Sequence, residues 1–136
     1  EQEPTVSNRV ELSQNKNIFN KNIPILKWTL NSRDKKTIYV NERYLSSYLL
    51  KNNIVDRIEK HQSDIIFGVG HHMGTTRMSY SDKDGVVNSD HKVFGYNNLY
   101  INGSSVFPTS GSVNPTLTIL ALSFRLSEIL DKRMKD

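Results

Sequence analysis

The chain contains no cysteine. Disulfides and thiolate metal centres are therefore excluded, while the compartment stays open. No apolar run approaches the roughly 18 residues of a membrane-spanning helix. No apolar signal-like stretch stands near Glu1. Charge of one sign is also scarce: 18 Lys and Arg face 14 Asp and Glu, a net of +4. The positive residues are scattered, at Lys16, Lys21, Lys27, Lys35, Lys36, Lys51 and Lys60, and cluster only at Lys132, Arg133 and Lys135. A nucleic-acid surface calls for a basic stripe with interleaved aromatics, so that class is set aside. The terminal cluster reads as a solvated helix end, where cations complement the dipole. No internal repeat or low-complexity tract occurs. The 136 residues are enough for one domain, and 36% hydrophobic against 24% charged suits a folded core on the polar side.

What is present is concentrated in the last third. Ser112-Val113-Asn114-Pro115-Thr116-Leu117-Thr118-Ile119 reads as a loop that turns abruptly into a helix. Asn114 is the expected N-cap and Pro115 the expected first helical residue. Behind them lie Leu117, Ile119, Leu120, Ala121, Leu122, Phe124, Leu126, Ile129 and Leu130. A helix apolar on nearly every side expects burial on every side. Its N-terminus can stabilise an anion placed before it.

Upstream, Arg9-Val10-Glu11-Leu12 alternates like a half-buried strand, and Ile23 to Leu30 reads as a second strand with Pro24 at its start or on an edge. Ser13 to Asn22 is the expected hairpin loop. Asn31 or Ser32 caps a helix with Asp34 in its first turn, running to about Lys51 with Ile38, Leu45, Tyr48 and Leu49 on one side. Asn52-Asn53 ends it, and Ile54 to Ile58 is a short strand or connection. Asp64-Ile65-Ile66-Phe67 leads into Gly68-Val69-Gly70-His71-His72-Met73-Gly74, whose glycines argue for irregular backbone. Asp82 to Asp90 is a polar turn around Gly85. His91 to Phe94 and Leu99 to Ile101 are expected strands, followed by a small-residue turn at Asn102 to Ser105. The apolar last helix and the short strand before it suggest elements that dock onto a partner domain outside this chain.

Five motifs occur in order: His71-His72-Met73-Gly74-Thr75-Thr76-Arg77-Met78, Gly85-Val86-Val87-Asn88, Lys92-Val93-Phe94-Gly95, Asn98 to Thr109, and Asn114 to Ile119. Together they resemble the C-terminal part of the glucose–methanol–choline (GMC) family of flavoprotein oxidoreductases, over nearly the whole chain. The resemblance implies FAD-dependent oxidation of an alcohol, often a sugar or polyol. It also implies an amino-terminal FAD-binding domain as partner, because Gly68, Gly70 and Gly74 do not form the Gly-x-Gly-x-x-Gly phosphate loop. The implied fold class is α+β: a mixed or antiparallel sheet with helices over residues 1–98 on the substrate side. Residues 99–136 then add a last strand and helix to the α/β FAD domain.

By motif position the catalytic residues are His71 and Asn114. An imidazole, with an unperturbed pKa near 6.5, suits removal of a hydroxyl proton; asparagine can only hydrogen-bond the substrate oxygen. The implied cofactor-binding residues are Asn102, Gly103, Asn114, Pro115, Thr116 and Leu117. The family often carries Asp where Asn102 stands. A metal at His71-His72 is set aside, because adjacent histidines on an extended segment point to opposite faces. Arg77 and Met78 read as supports for the histidine segment, and His61 and His91 as surface or packing residues. The rival reading is a non-catalytic module, truncated or from a split gene, that binds a partner domain or carbohydrate.

Overall fold

A computed structural model describes residues 2–59 and 70–135. Asp64 to Val69 and His61 therefore lie outside the described residues. The fold is a small α+β arrangement: strand β1 (Arg9–Lys16), strand β2 (Asn22–Lys27), helix α1 (Ser32–Lys51), a 3-10 turn (Ser104–Val106) and helix α2 (Thr116–Lys135). Two compact units divide it. One contains residues 3–28 and 70–135; the other contains residue 2 and residues 29–59. Neither helix is long and apolar enough to cross a membrane.

β1 and β2 pair antiparallel from Arg9↔Lys27 to Leu12↔Pro24, and the register slips before Lys16↔Asn22. Pro24 is tolerated because each strand of a two-stranded ribbon has an open edge. β1 outruns the expected Arg9 to Leu12, β2 starts one residue before the expected Ile23 and stops at Lys27 rather than Leu30, and the loop shrinks to residues 17–21. The physical reason is exposure. No β1 or β2 residue is buried, so polar Gln14, Asn15 and Lys16 meet no penalty in the ribbon. Asn17 closes the loop by accepting from the amides of Phe19 (2.9 Å) and Lys21 (3.0 Å). Glu11 accepts from Lys27 across the ribbon at 2.5 Å and lies 3.3 Å from Arg9. These cations, Lys27 first through its hydrogen bond, hold the Glu11 carboxyl below its ordinary value.

α1 starts as the sequence suggests. Asn31 accepts from the Asp34 amide at 2.8 Å, and the buried Asp34 carboxylate accepts from the Asn31 amide at 2.9 Å. This reciprocal capping box satisfies two otherwise orphaned donors. The helix ends on Asn53, at φ 53°, with Asn53 N donating to Leu50 O and Ile54 N to Leu49 O. That is a Schellman closure with asparagine in the left-handed position. Ile54 to Ile58 forms no strand. Ile38, Leu45 and Tyr48 face solvent and Leu49 is half-buried.

The core of the larger unit is Val87, Val93, Val106 and Phe107, with Met73, Met78, Ile101, Ile119 and Leu122 packed against it. Single bridges replace the expected strands here: Met78↔Val87, Val87↔Val93 and Lys92↔Tyr100. The turn at Gly95 returns the chain after so few residues that no ladder propagates. His91 is fully buried, at φ 64°, and its Nδ1 lies 3.0 Å from Ile101 O. A carbonyl only accepts, so Nδ1 carries the proton, and among the described residues Nε2 has no partner. His91 is thus a packing residue of the core.

α2 lays one face, Ile119, Leu122, Leu126, Ile129 and Leu130, half-buried along this unit. The expectation of burial on every side is not met: Leu117, Leu120 and Phe124 are 79%, 51% and 72% exposed. The unit is too small to wrap a helix. Arginines fix α2 in place. Arg125 donates to Ser89 O at 2.6 Å and lies 3.5 Å from Asp90. Arg133 donates to the Tyr100 hydroxyl at 2.8 Å, with its guanidinium 5.7 Å from the ring centroid.

Candidate active site

His71 sits in the left-handed region at φ 54°, after Gly70 at φ 90°. A non-glycine residue held there stores backbone strain and needs surrounding structure to keep it. The following residues supply that structure by hydrogen bonding to the 3-10 turn. Ser104 Oγ donates to His72 O at 3.1 Å, and Gly74 N donates back to Ser104 O at 3.2 Å. Thr76 N donates to Ser105 O at 2.9 Å and Met78 N to Val106 O at 2.8 Å. Thr76 Oγ1 adds a bond to Ser105 Oγ at 2.8 Å. Gly74 is required in this seam: a Cβ there would stand 3.1 Å from Phe107 O, at φ 79°.

The side chains ahead of the seam are left open. His71 and His72 are exposed, and Met73 and Met78 turn into the core. Arg77 reaches across the polar turn, its Nε donating to Asp84 O, and its carbonyl accepts from Val86 N at 2.9 Å. Arg77 thus ties the polar turn, and Met78 packs on the core.

Asn102 and Gly103 directly precede the turn that carries the seam. Asn102 is exposed, and its Nδ2 donates to Ser123 Oγ of α2 at 2.6 Å. Gly103 has φ 112°, and among the described residues beyond its chain neighbours no atom lies within 4 Å of the place a Cβ would take. Two residues to which the sequence reading gave no role tie the candidate residues: Ser104 bonds the histidine segment, and Ser123 bonds Asn102. A serine interrupting the apolar run of α2 was the available signal for the second.

The start of α2 departs in one detail from expectation. Its first turn-closing bond runs from Ile119 N to Pro115 O at 2.9 Å, so the cap position falls on Pro115, which is buried. Asn114 lies one residue earlier and is exposed; among the described residues its side chain makes no hydrogen bond, so it does not cap the helix. The amides of Thr116, Leu117 and Thr118 precede the ladder. No acidic residue stands in this first turn to offset their partial positive charge. His71 and Asn114 share no hydrogen bond. A cleft of about 570 Å³ lined by Asn97, Asn98, Tyr100, Leu130, Arg133 and Met134 contains none of the candidate residues.

These features fit a large anionic, hydroxyl-rich cofactor such as FAD. Uncompensated amides can take negative charge, an exposed carboxamide can meet hydroxyls, and bare backbone at Gly103 permits close approach. The histidine segment hangs from the same turn.

Comparison with known proteins bears on this directly. The chain is 35% identical over 103 residues to a C-glycoside 3-oxidase of Microbacterium trichothecenolyticum, covering 74% of this chain and 19% of that protein. It is 39% identical over 66 residues to a 2-methyl-1,2-propanediol dehydrogenase of Mycolicibacterium austroafricanum, covering 48% of this chain and 12% of that one. It is 28% identical over 130 residues to a 6'''-hydroxyparomomycin C oxidase of Streptomyces lividus, covering 93% of this chain and 23% of that one. The chain thus spans less than a quarter of the length of each of these relatives. The family model for the C-terminal domain of GMC oxidoreductases, enzymes that use FAD, matches residues 4–123. On that match the chain belongs to the GMC oxidoreductase family, as its C-terminal region.

Proposed function

We infer that this chain is the C-terminal part of an FAD-dependent oxidoreductase that oxidises a CH–OH group, with a sugar or polyol as substrate. FAD, when bound, supplies the hydride acceptor. The chain's own residues handle the proton and the geometry. His71 takes the proton from the substrate hydroxyl, and Asn114 donates a hydrogen bond to the same oxygen without competing as a base. The amides of Thr116 and Leu117 favour negative charge placed before α2. Asn102 and Gly103 receive the cofactor's polar chain, and Pro115 fixes the entry of α2.

The observation that carries this reading is the seam between residues 72–78 and the Ser104–Val106 turn. It hangs the proposed base from the element that bears the proposed cofactor contacts. Residues 1–98 then form the substrate side. Residues 99–136 complete an FAD-binding domain whose remainder covers Leu117, Leu120 and Phe124. The sugar or polyol substrate draws support from relatives named for a C-glycoside and a diol.

The test is visible absorbance of the chain joined to an amino-terminal FAD-binding part, under anaerobic conditions, against a panel of sugars and polyols. Bound yellow flavin that bleaches with one of them is the expected result. His71→Ala should keep the flavin and slow bleaching by at least the ~10²-fold typical of losing a general base. Unbleached flavin would favour the non-catalytic module, and an unaffected His71→Ala rate would clear His71 of the role.

A further inference from the structure

Ser123 has one hydroxyl proton and two polar neighbours. Its Oγ lies 2.7 Å from Ile119 O and 2.6 Å from the Asn102 carboxamide. Ile119 O can only accept, so the proton goes there and an Oγ lone pair faces Asn102. Nδ2–H of Asn102 fills that lone pair. With the carboxamide turned over, Oδ1 and Ile119 O would compete for a single proton and one bond would be lost. The fully bonded arrangement therefore aims Oδ1 away from α2. Asn102 is exposed, and among the described residues nothing donates to that oxygen.

We propose that Ser123 is a positioning residue: through Asn102 it presents a neutral carbonyl acceptor, beside the bare backbone of Gly103, to a hydroxyl group of the bound ligand. The proposal rests on the flavin reading above. Hydroxyls of this kind are carried by the ribityl chain of FAD and equally by a sugar substrate. Ser123 touches neither; it decides which end of the carboxamide the ligand meets.

The test uses the flavin-loaded protein that contains this chain. Ser123→Ala, Ser123→Thr, Asn102→Ala and the Ser123→Ala/Asn102→Ala double variant are compared in two arms. One is the dissociation constant of FAD, by titrating the apoprotein. The other is the half-saturating concentration of the best bleaching sugar. Ser123→Ala should weaken one arm about fivefold, the worth of one neutral hydrogen bond, and Ser123→Thr should restore it. In the Asn102→Ala background the Ser123→Ala loss should vanish, which a merely structural role would not produce. A shift in the first arm identifies FAD as the hydroxyl donor, and a shift in the second identifies the sugar. No loss in either arm, or an equal loss with Asn102 already removed, overturns the proposal while leaving the flavin reading intact. A protein that binds no FAD overturns both.

Discussion

Gly85→Ala probes the frame beneath the histidine segment through space alone. A Cβ on Gly85 would lie 2.6 Å from Arg77 O, 2.7 Å from Ser79 Oγ and 2.8 Å from Ser79 Cβ. Ordinary contact begins near ~3.5 Å, so something must move. The Ser79 side chain is tied down, its hydroxyl bonded to Ser81 O and accepting from Ser81 N. Arg77 O is backbone and accepts from Val86 N at 2.9 Å; backing away stretches that bond. Overpacking of this kind costs about 1–3 kcal/mol, and a weakened backbone hydrogen bond adds about 1 kcal/mol. The expected loss is about 2–4 kcal/mol, a large part of the 5–15 kcal/mol typical of a domain. Gly95→Ala is the contrast. Among the described residues beyond its chain neighbours no atom lies within 4 Å of its Cβ position, but φ is 78°, so only the left-handed penalty of about 1–2 kcal/mol applies. Urea unfolding followed by circular dichroism gives the ordering, and amide exchange at Val86 locates the damage. A Gly85→Ala protein within about 0.5 kcal/mol of the parent, the usual range for surface changes, would refute the steric argument.

Lys27→Met should raise the Glu11 titration midpoint towards the ordinary glutamate value. The folded value is depressed, so the ion pair's contribution is present above the unfolded pKa and fades as pH falls through the folded one; an unmoved midpoint in carboxyl-detected NMR counts against the pairing. Phe124→Asp should leave the chain folded, since the ring is 72% exposed, yet prevent association with an amino-terminal FAD-binding part in a pull-down. Undiminished association would remove that face from the proposed contact. His91→Ala empties a fully buried site and strips Ile101 O of its donor. A loss of about 2–4 kcal/mol in urea unfolding is expected, and a loss under about 0.5 kcal/mol would show that the imidazole is dispensable.

Local signals were readable in the sequence. The Asn31–Asp34 box, the Asn52-Asn53 stop and the Pro24 edge strand each depend on neighbours within a few positions. The ends of β1 and β2 were misjudged because an exposed ribbon imposes no alternation to read. The start of α2 was placed within a residue or two, but its burial was not, since the described residues cover only one of its faces. His91 was legible only as a surface or packing residue: it follows a polar turn, and the carbonyl it bonds is ten residues on. The Ser104 and Ser123 contacts cross 32 and 21 residues, beyond what local spacing can convey. The candidates His71 and Asn114 came from ordered motifs, whereas the bonds that hold their surroundings came only with coordinates.

The bonds between residues 74–78 and 104–106 also shape how this region can vary in length. The histidine's footing depends on cross-links rather than on the route the chain takes in between. Exposed stretches along that route that make no backbone hydrogen bond among the described residues, such as Asn97-Asn98, are where added residues disturb least. A lineage could lengthen that outer loop while the backbone of the histidine segment keeps its anchorage.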